Sequence, residues 1–319
     1  MDQSVKELHE KRSKMWEGSI ANHRKYIDDA TGIFADKFTQ DRSCPVCDAH
    51  NELELFYKEG GRYVKCNECS MVYINPVFTD DALEDYYRTN HDLQGEIVES
   101  DTEFYSGLYN KGLDGIEKVL QKRGQILDIG CSSGIFLDTA KGRDWKTFGV
   151  ELNQTEAKYA QNKGHTVFND LLHRIDFDTR FDAVSLWDVF EHLKNGEAYL
   201  NHLKNLLLPE GVIFLQIPSS DSLAAKILHE KCNMFDGLEH VNLYGVATIK
   251  QLAEKCGLEI LSMETVISEI GVINNHLSYE NPYFGNTDNK TNIAGLIDET
   301  TLHNRLMGYK LQVIMGARK

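Results

Sequence analysis

The second half of the chain alternates short apolar runs with segments long enough to form helices. Strands that alternate with helices form mostly parallel sheets, because each parallel connection needs a crossover that packs on one face. The runs are continuous rather than alternating, which suits strands buried on both faces. The pattern predicts an α/β fold with a doubly wound, mostly parallel sheet of seven strands. These are Gln125–Ile129, Thr147–Val150, Thr166–Phe168, Ala183–Trp187, Gly211–Ile217, Glu259–Ile267 and Tyr309–Ala317.

A glycine-rich turn follows the first of these strands. It contains Asp128, Gly130, Ser132 and Gly134, and it leads directly into a predicted helix. Glycine lets the backbone approach a ligand closely, and Ser132 or Ser133 could cap the helix, whose first amides attract negative groups. A dinucleotide-binding turn would have a glycine where Ser132 stands, so a dehydrogenase is disfavoured.

Acidic and amide residues follow the next two strands at the same edge of the sheet. Glu151 comes directly after the second strand, and Asn169 and Asp170 follow the third. In doubly wound folds an acid in the position of Glu151 accepts hydrogen bonds from ribose hydroxyls. Three consecutive strand ends therefore predict a nucleotide-like cofactor at the carboxyl edge of the sheet.

Two CxxC pairs precede this region. Cys44 and Cys47 form the first pair, and Cys66 and Cys69 form the second, 18 residues further on. Two such turns supply four thiolates to one tetrahedral ion, and each lies beside a strand-like segment, as in a zinc ribbon. Four protein ligands leave no open position for water, so we predict a structural Zn²⁺ site. Two redox pairs would need a thioredoxin-like context that this sequence lacks.

The sequence divides into three parts. Residues 1–40 are predicted to form one or two amphipathic helices, residues 41–78 a zinc-binding module, and residues 79–319 the cofactor domain. Residues 79–123 are expected to be helical, and residues 268–306 to be an insertion before the last strand. The N-terminal helices could pair two subunits in a homodimer or only cover the sheet.

Together these motifs resemble class I S-adenosylmethionine-dependent methyltransferases, which have a Rossmann-like fold. The glycine turn is similar to the first motif of that family. Residues 181–193, 206–218 and 309–319 are similar to its fourth strand, its fifth-strand unit and its seventh strand. The cysteine pairs, followed by Asn75-Pro76 and Tyr86-Tyr87, resemble a bacterial subgroup in which a small zinc module precedes the methyltransferase domain.

The resemblance implies that the cofactor is S-adenosyl-L-methionine, and it assigns residues to parts of that molecule. It places Glu151 on the ribose, Leu152 on the adenine ring and Asp170 on the adenine amino group. For the candidate tyrosines listed next, simple packing of a helix is the plain alternative to cofactor binding. The residues expected around the methionine part, or closing over the cofactor, are Asp128, Gly130, Ser132, Gly134, Trp187, Asp188, Tyr86, Tyr87 and Tyr105.

A hydroxyl or carbon acceptor needs a group that removes its proton, and histidine is the usual base near neutral pH. His240, within residues 239–244, resembles the base of sugar C-methyltransferases of the zinc-bearing subgroup, and we rank it first. His192, adjacent to Glu191, is ranked second because it follows the fourth strand at the cofactor edge. Gly237 stands where those enzymes often have tyrosine, which weakens a sugar C-methylation reading.

The segment around His192 also resembles a metal-binding motif. Asp188, Glu191 and His192 form D-x-x-E-H, similar to an E-x-x-E-H that binds a divalent ion in ubiquinone-pathway O-methyltransferases. Carboxylate and imidazole groups are suitable ligands for such an ion. Acids stabilised by the dipole of a helix N-terminus are the more ordinary interpretation.

Charge and hydropathy limit the expected partners. The 319 residues include 34 Lys and Arg against 49 Asp and Glu, a formal net charge of −15, which argues against a broad nucleic-acid-binding surface. No apolar run reaches the ~18 residues of a membrane span, and the charged N-terminus lacks a signal-peptide core. We therefore expect a cytoplasmic protein without membrane contact, whose cysteines bind metal rather than form disulfides.

The sequence predicts an S-adenosylmethionine-dependent methyltransferase. The expected reaction is O-methylation of a small polar or glycan-linked acceptor, with His240 or His192 as general base. One alternative is a sugar-nucleotide C-methyltransferase. Another is a zinc-ribbon binding protein with a degenerate cofactor fold, against which the intact glycine turn and Glu151 argue.

Overall fold

A computed structural model describes residues 21–89, 102–270, 273 and 297–318; helix residues 87–89, 102 and 103 are described by their backbone alone. The first half of the predicted N-terminal helices, residues 1–20, and most of the predicted insertion at 268–306 lie outside these residues. Between residues 21 and 38 the structure has short 3₁₀ helices, at Arg24–Tyr26 and Asp36–Phe38. No helix of the described part is long and apolar enough to cross a membrane.

The strands and helices are numbered here in chain order. The described strands are β1 (Thr39–Gln40), β2 (Glu52–Lys58), β3 (Gly61–Cys66), β4 (Val72–Ile74), β5 (Val77–Phe78), β6 (Gln125–Ile129), β7 (Lys146–Val150), β8 (Thr166–Phe168), β9 (Phe181–Trp187), β10 (Leu207–Pro218), β11 (Asn242–Leu243), β12 (Leu258–Val266) and β13 (Lys310–Ala317). The described α-helices are α1 (Asp80–Thr89), α2 (Thr102–Leu120), α3 (Ile135–Lys141), α4 (Gln154–Asn162), α5 (Gly196–Leu206), α6 (Leu223–Leu228), α7 (Val246–Lys255) and α8 (Glu299–Asn304).

The central sheet has seven strands among the described residues, in the order β12-β13-β10-β9-β6-β7-β8. Neighbouring strands from β10 to β8 are parallel, and β13 is antiparallel to both β10 and β12. The predicted α/β fold with a mostly parallel, seven-stranded sheet is confirmed. The strand order reverses between β6 and β9, and ligands of such sheets bind outside the carboxyl ends at this switch point.

Helices cover both faces of this sheet. On one face α2 and α3 pack through Leu113, Ile116 and Phe136 against the strands, and on the other α5 and α7 pack through Leu203 and Leu252. Strand β9 is buried at every position before Trp187, because both of its faces contact helices. The sheet thus holds the ends of β6 and β9 in fixed positions.

A smaller antiparallel sheet surrounds the cysteine pairs, in the order β11-β4-β3-β2. Strands β2 and β3 form a hairpin around Glu59 and Gly60, both with positive φ, as a tight hairpin turn requires. Its strand β11 lies about 170 residues further along the chain than β4, beyond the first five strands of the central sheet. The cysteine sheet and the central sheet also share one buried cluster, in which Val64 and Tyr73 pack with Tyr244.

Candidate active site

The glycine turn has the backbone conformation that its residues predict. Gly130 and Gly134 have φ angles of +75° and +83°, and Ser132 has a φ of +46°. A Cβ atom on Gly130 would lie 2.6 Å from Cγ2 of Val189, so the turn directly contacts the segment that follows β9. The prediction that a serine of this turn caps α3 through its side chain is wrong: Gly134 is the N-cap residue, and the Ser132 hydroxyl donates to Glu156 (3.1 Å).

Glu151 is fastened to this turn by both carboxylate oxygens. Its Oε2 accepts the Ser132 amide at 2.9 Å, and its Oε1 accepts the Asn153 amide at 2.7 Å. Burial raises the pKa of Glu151, although these amides favour its charged form. The carboxylate is therefore oriented in advance at the place where a ribose hydroxyl donor is expected.

The two residues predicted to contact adenine lie next to Glu151 on the surface. The Leu152 side chain is 62% exposed, which is unusual for leucine and leaves its apolar surface available to a planar ring. Asp170 is exposed, accepts the Leu171 amide at 2.7 Å and lies 3.6 Å from Arg174. Asn169 donates to the backbone carbonyls of Glu151 and Leu152 and so joins the ends of β7 and β8.

Asp128 supports the turn from inside the protein. Its carboxyl group is buried and accepts the Ser185 hydroxyl at 2.7 Å, which joins β6 to β9. Burial raises the pKa of Asp128 well above its usual range. The Asp128 side chain is thus placed to stabilise the switch point of the sheet, where Gly130, two residues later, begins the turn.

Trp187, at the end of β9, packs against the rings of Tyr109, Phe136 and Phe214, with centroids 4.8, 5.2 and 4.5 Å away. Its indole Nε1–H is buried and has no hydrogen-bond partner among the described residues. Buried donors are rarely left unpaired, so this group fits a site completed by a ligand or water.

Asp188 belongs to a polar row along the ends of three strands. Its carboxylate accepts from Lys310 Nζ at 2.8 Å and from Gln216 Nε2 at 3.1 Å, and Gln312 donates to Gln216. Asp188 therefore neutralises a nearly buried lysine. Lys310 is not among the candidate residues recognised in the sequence, although it is the charged residue that begins the final strand.

Glu191, His192 and His240 come together beside this row. Their candidate ligand atoms lie within 4.8 Å of one another, and the His192 and His240 rings are 5.0 Å apart. Glu191 is completely buried, and neither of its carboxyl oxygens has a hydrogen-bond partner among the described residues. Burial, reinforced by the nearby Asp188, raises the pKa of Glu191 well above its usual range. Burial lowers the pKa of His192 to about 3, so its imidazole is neutral.

The contacts of His240 define which ring nitrogen is free. Its Nδ1 lies 2.7 Å from the Met234 carbonyl, which can only accept, so Nδ1 carries the hydrogen. Nε2 then offers a lone pair, 3.9 Å from Glu191 Oε1, too long for a hydrogen bond. Asp236, which the sequence analysis missed, lies 3.6 Å from Nδ1. Burial would raise the pKa of Asp236, but the neighbouring His240 and the amides of residues 238–240 lower it.

Two of the three candidate tyrosines, Tyr86 and Tyr105, have described side chains. The Tyr86 hydroxyl donates to Glu239 at 2.6 Å, and its ring is buried with Tyr26, Phe34 and Leu238. Tyr105 contacts the Tyr109 ring. The Tyr87 side chain lies outside the part that the structure describes.

The four predicted zinc ligands form one cluster. Sγ of Cys44 lies 3.5 Å from Sγ of Cys69, Sγ of Cys47 lies 3.5 Å from Sγ of Cys66, and all four lie within 4.8 Å of one another. A tetrahedral ion with Zn–S bonds of about 2.3 Å requires sulfur separations of about 3.8 Å, so the cluster fits Zn²⁺. None of the seven cysteines forms a disulfide.

Comparison with known proteins agrees with this geometry. The family described as methyltransferase domain matches residues 102–263, just over half of the chain. The chain therefore belongs to the methyltransferase domain family, and the predicted enzyme class is confirmed. The matched region spans the glycine turn and all the strand ends up to β12, together with His192 and His240.

Two relatives differ in the reaction that their names state. The ubiquinone biosynthesis O-methyltransferase of Rhodopseudomonas palustris (strain TIE-1) is 28% identical over 95 residues, 28% of this chain and 38% of that protein. The C-methyltransferase NovU of Streptomyces niveus is 23% identical over 212 residues, 63% of this chain and 47% of that protein. The chain spans about half or less of the length of these relatives.

A solved structure of the plantazolicin methyltransferase BpumL in complex with SAH has a similar fold. Its TM-score is 0.51 at 15% identity, and the match covers 74% of this chain and 94% of that one. At this identity the likeness shows the fold alone.

Proposed function

We propose that this protein transfers a methyl group from S-adenosylmethionine to an oxygen atom of a small polar or glycan-linked acceptor. The observation that carries the proposal is the contact between the two halves of the site. The glycine turn, where the cofactor would lie, contacts Val189, and Val189 immediately precedes the 3₁₀ helix that bears Glu191 and His192. Acceptor and cofactor would thus meet at the switch point of the sheet.

The residues around the cofactor have the groups that S-adenosylmethionine needs. Glu151 would accept hydrogen bonds from the ribose hydroxyls, Leu152 would cover the adenine ring, and Asp170 would accept from its amino group. The turn from Gly130 to Gly134 would hold the methionine part beside Trp187. The bound cofactor supplies an electrophilic methyl group on a sulfonium, which needs no further activation.

His240 is the base in this proposal. Its Nε2 lone pair would take the acceptor hydroxyl proton as the C–O bond forms and the C–S bond breaks, so that S-adenosylhomocysteine and a protonated imidazole result. Asp236 beside Nδ1 would stabilise that imidazolium. His192, with its low pKa, is the poorer base, so His240 remains first.

Isothermal calorimetry with the full chain tests cofactor binding. We expect S-adenosylmethionine and S-adenosylhomocysteine to bind, and Gly130→Arg to abolish binding by filling the turn. If neither compound binds the unmodified chain, or if Gly130→Arg binds equally well, the proposal fails.

A transfer assay tests the base. Purified protein is incubated with methyl-labelled S-adenosylmethionine and a panel of phenols and nucleotide-linked sugars, and product mass spectra locate the methyl group. We expect His240→Gln to lower the rate at least 100-fold with unchanged cofactor affinity. His229→Gln, a substitution of an exposed histidine, is the control. Equal rates for the two variants would exclude His240 as the base.

A sugar-nucleotide C-methyltransferase is the second candidate, favoured by the length of the match to NovU. Gly237 weighs against it, because its φ is +92° and a Cβ there would lie 2.4 Å from the Lys58 carbonyl. The tyrosine often found at that position in such enzymes would not fit this backbone. A methyl group on carbon in the labelled product would decide for this candidate.

A divalent ion held by Glu191, His192 and His240 would also suit O-methylation, and the unpartnered Glu191 carboxyl favours it. Asp188, which the sequence motif included, is instead paired with Lys310. Transfer that is lost with EDTA and regained with Mg²⁺, which thiolates do not bind, at constant cofactor affinity, would assign His240 to the ion rather than to the proton.

We also propose that the four-cysteine cluster binds one structural Zn²⁺. Cys44, Cys47, Cys66 and Cys69 would be its ligands, and the supporting observations are their spacing in the sequence and the distances between their sulfur atoms.

A further inference from the structure

The segments that follow His192 and His240 are attached to each other and to the cysteine sheet. After His240, the carbonyl of Val241 accepts the Ile74 amide of β4 at 3.0 Å, and the next two residues pair with β4 as strand β11. After His192, the carbonyl of Leu193 accepts the Asn242 side-chain amide at 2.6 Å. Neither histidine lies on a strand of the central sheet.

Arg42, in the segment between β1 and the first cysteine pair, joins these segments to strand β4 of the cysteine sheet. Its guanidinium donates to three backbone carbonyls in three different segments: Ile74 through Nε at 3.0 Å, Lys194 through Nη1 at 3.3 Å and Val241 through Nη2 at 2.7 Å. The group also lies over the Tyr73 ring. One residue therefore bonds β4, the loop two residues after His192, and the residue directly after His240.

The chemistry of arginine suits this junction. A planar guanidinium has five donors in a fixed geometry, whereas the ammonium of lysine is a single point from which three separated carbonyls cannot all be reached. A guanidinium is charged at neutral pH. Carbonyl groups bonded to a charged donor in a partly buried site are held more firmly than by neutral donors.

We propose that Arg42 is a positioning residue that fixes the separation of His192 and His240, and that the cysteine sheet is the scaffold for this half of the active site. The role of the two histidines in transfer rests on the proposed function, but the junction itself rests only on the contacts above. The cofactor half, at the ends of β6 to β8, has no bond to Arg42.

Arg42→Met in the full, zinc-loaded chain tests the junction, and Arg62→Met is the matched control. Arg62 lies on β3 of the cysteine sheet and also bonds a backbone carbonyl, that of Asn75, but it has no hydrogen bond to the histidine segments. The spectroscopic readout is the nuclear Overhauser effect between the His192 and His240 rings in histidine-labelled protein. Hydrogen exchange is followed at residues 190–194 and 239–243.

We expect Arg42→Met to lose the ring-to-ring signal and to exchange at least tenfold faster in both segments. Its zinc content and its affinity for S-adenosylhomocysteine should stay within twofold of the unmodified chain. Arg62→Met should keep the signal and the slow exchange. A folded Arg42→Met protein with the original signal and exchange rates would overturn the proposal, as would the same changes in Arg62→Met.

A conservative variant and metal withdrawal complete the test. If Arg42→Met does not fold, Arg42→Lys should show faster exchange in the same two segments to a smaller degree, and unchanged exchange there would refute the junction. Chelation of the metal should raise exchange in both segments more than at β6 to β8; a change confined to residues 44–69 would refute the scaffold role. If S-adenosylhomocysteine fails to bind the unmodified chain, the proposed function falls, whereas the exchange results still decide about Arg42.

Discussion

Gly130 stands where the cofactor turn and the histidine-bearing segment come closest. Its positive φ is costly for any residue with a side chain, and a Cβ would also overlap Val189. Positive φ and close contact with Val189 are both required at Gly130, because the turn bends sharply at the end of β6 and β9 ends beside it. One missing side chain thus keeps the two halves of the site in contact.

We predict that Gly130→Ala weakens binding of S-adenosylhomocysteine at least tenfold and lowers the free energy of unfolding by about 1–3 kcal/mol, the cost of a strained backbone position. Calorimetry and denaturant unfolding measure the two effects. Gly107→Ala is the control, because a Cβ there would meet no described atom within 4 Å outside its own helix and chain neighbours, and its φ is not positive. Equal affinities in the two variants would contradict this account of the turn.

At the residue scale, the sequence identifies candidate side chains that belong to a local motif, because their partners are close in the sequence. Gly130, Glu151 and the cysteines belong to motifs whose spacing encodes their geometry. Asp236 and Lys310 escaped prediction because their partners, His240 and Asp188, are brought to them by tertiary packing. The pairing of Asp188 with Lys310 likewise follows from β13 lying beside β10, which a D-x-x-E-H pattern cannot reveal.

Glu117, together with Asn110 and Asp114, fastens helix α2 to the connection between α3 and β7. Glu117 accepts from Arg143 at 2.9 and 3.0 Å, from Arg123 at 2.8 Å and from Trp145 at 3.1 Å. Arg143 and Trp145 lie in the connection between α3 and β7, so the helix is joined to the layer behind the glycine turn. Burial alone would raise the pKa of Glu117, but these donors outweigh it and lower the pKa to about 2.

We predict that this glutamate makes stability depend on pH. Because its folded pKa lies below the unfolded value of about 4.3, its contribution is present above that value and is lost as the pH falls toward about 2. The contribution at neutral pH is about 2–3 kcal/mol by linkage. Urea unfolding of the unmodified chain and of Glu117→Gln should differ by about this amount at pH 7 and converge near pH 2.

Glu254→Gln, on the exposed surface of α7, serves as the control and should follow the unmodified chain throughout. A constant difference between Glu117→Gln and the unmodified chain from pH 7 to pH 2 would mean that the Glu117 charge has no part in the effect.

Among the elements, the strands of the central sheet were predicted to within a few residues, since long apolar runs between helices leave little ambiguity. The N-terminal region fared differently: the apolar residues Tyr26 and Phe34 suggest a helical face, yet both bury their rings against Phe78. Tyr26 does so from a short 3₁₀ helix, and Phe34 from an isolated β-bridge with Ile27. Tertiary packing against β5 and α1 overrode the local pattern there.

At the scale of the whole molecule, the cysteine sheet and the central sheet share a core. Strand β11, which follows β10 of the central sheet in the chain, belongs to the cysteine sheet. Strand β11 could not be predicted, because two residues carry no periodic signal and their partners in β4 lie about 170 residues earlier. A metal bound in the cysteine cluster would therefore stabilise more than its own loops.

We predict that the purified chain contains one Zn²⁺, and that its removal lowers the melting temperature by more than 10 °C, because binding energy in structural zinc sites is folding energy. Atomic emission measures the metal, and calorimetric scans measure the melting temperature. Cys69→Ser should lose the metal, whereas Cys232→Ser, which alters a buried thiol outside the cluster, should keep it. A metal-free chain that melts as the holo chain does would disprove a structural role.

The placement of β11 has a consequence for synthesis. The ribosome releases β2, β3 and β4 long before Asn242 and Leu243, so the growing chain carries β4 with a bare edge while the whole parallel part of the central sheet is being made. Exposed edges of this kind invite pairing with other chains. The edge of β4 is therefore covered only after residues 242 and 243 have been made, about three-quarters of the way along the 319 residues. Residues 41–78 cut out as an independent module should aggregate.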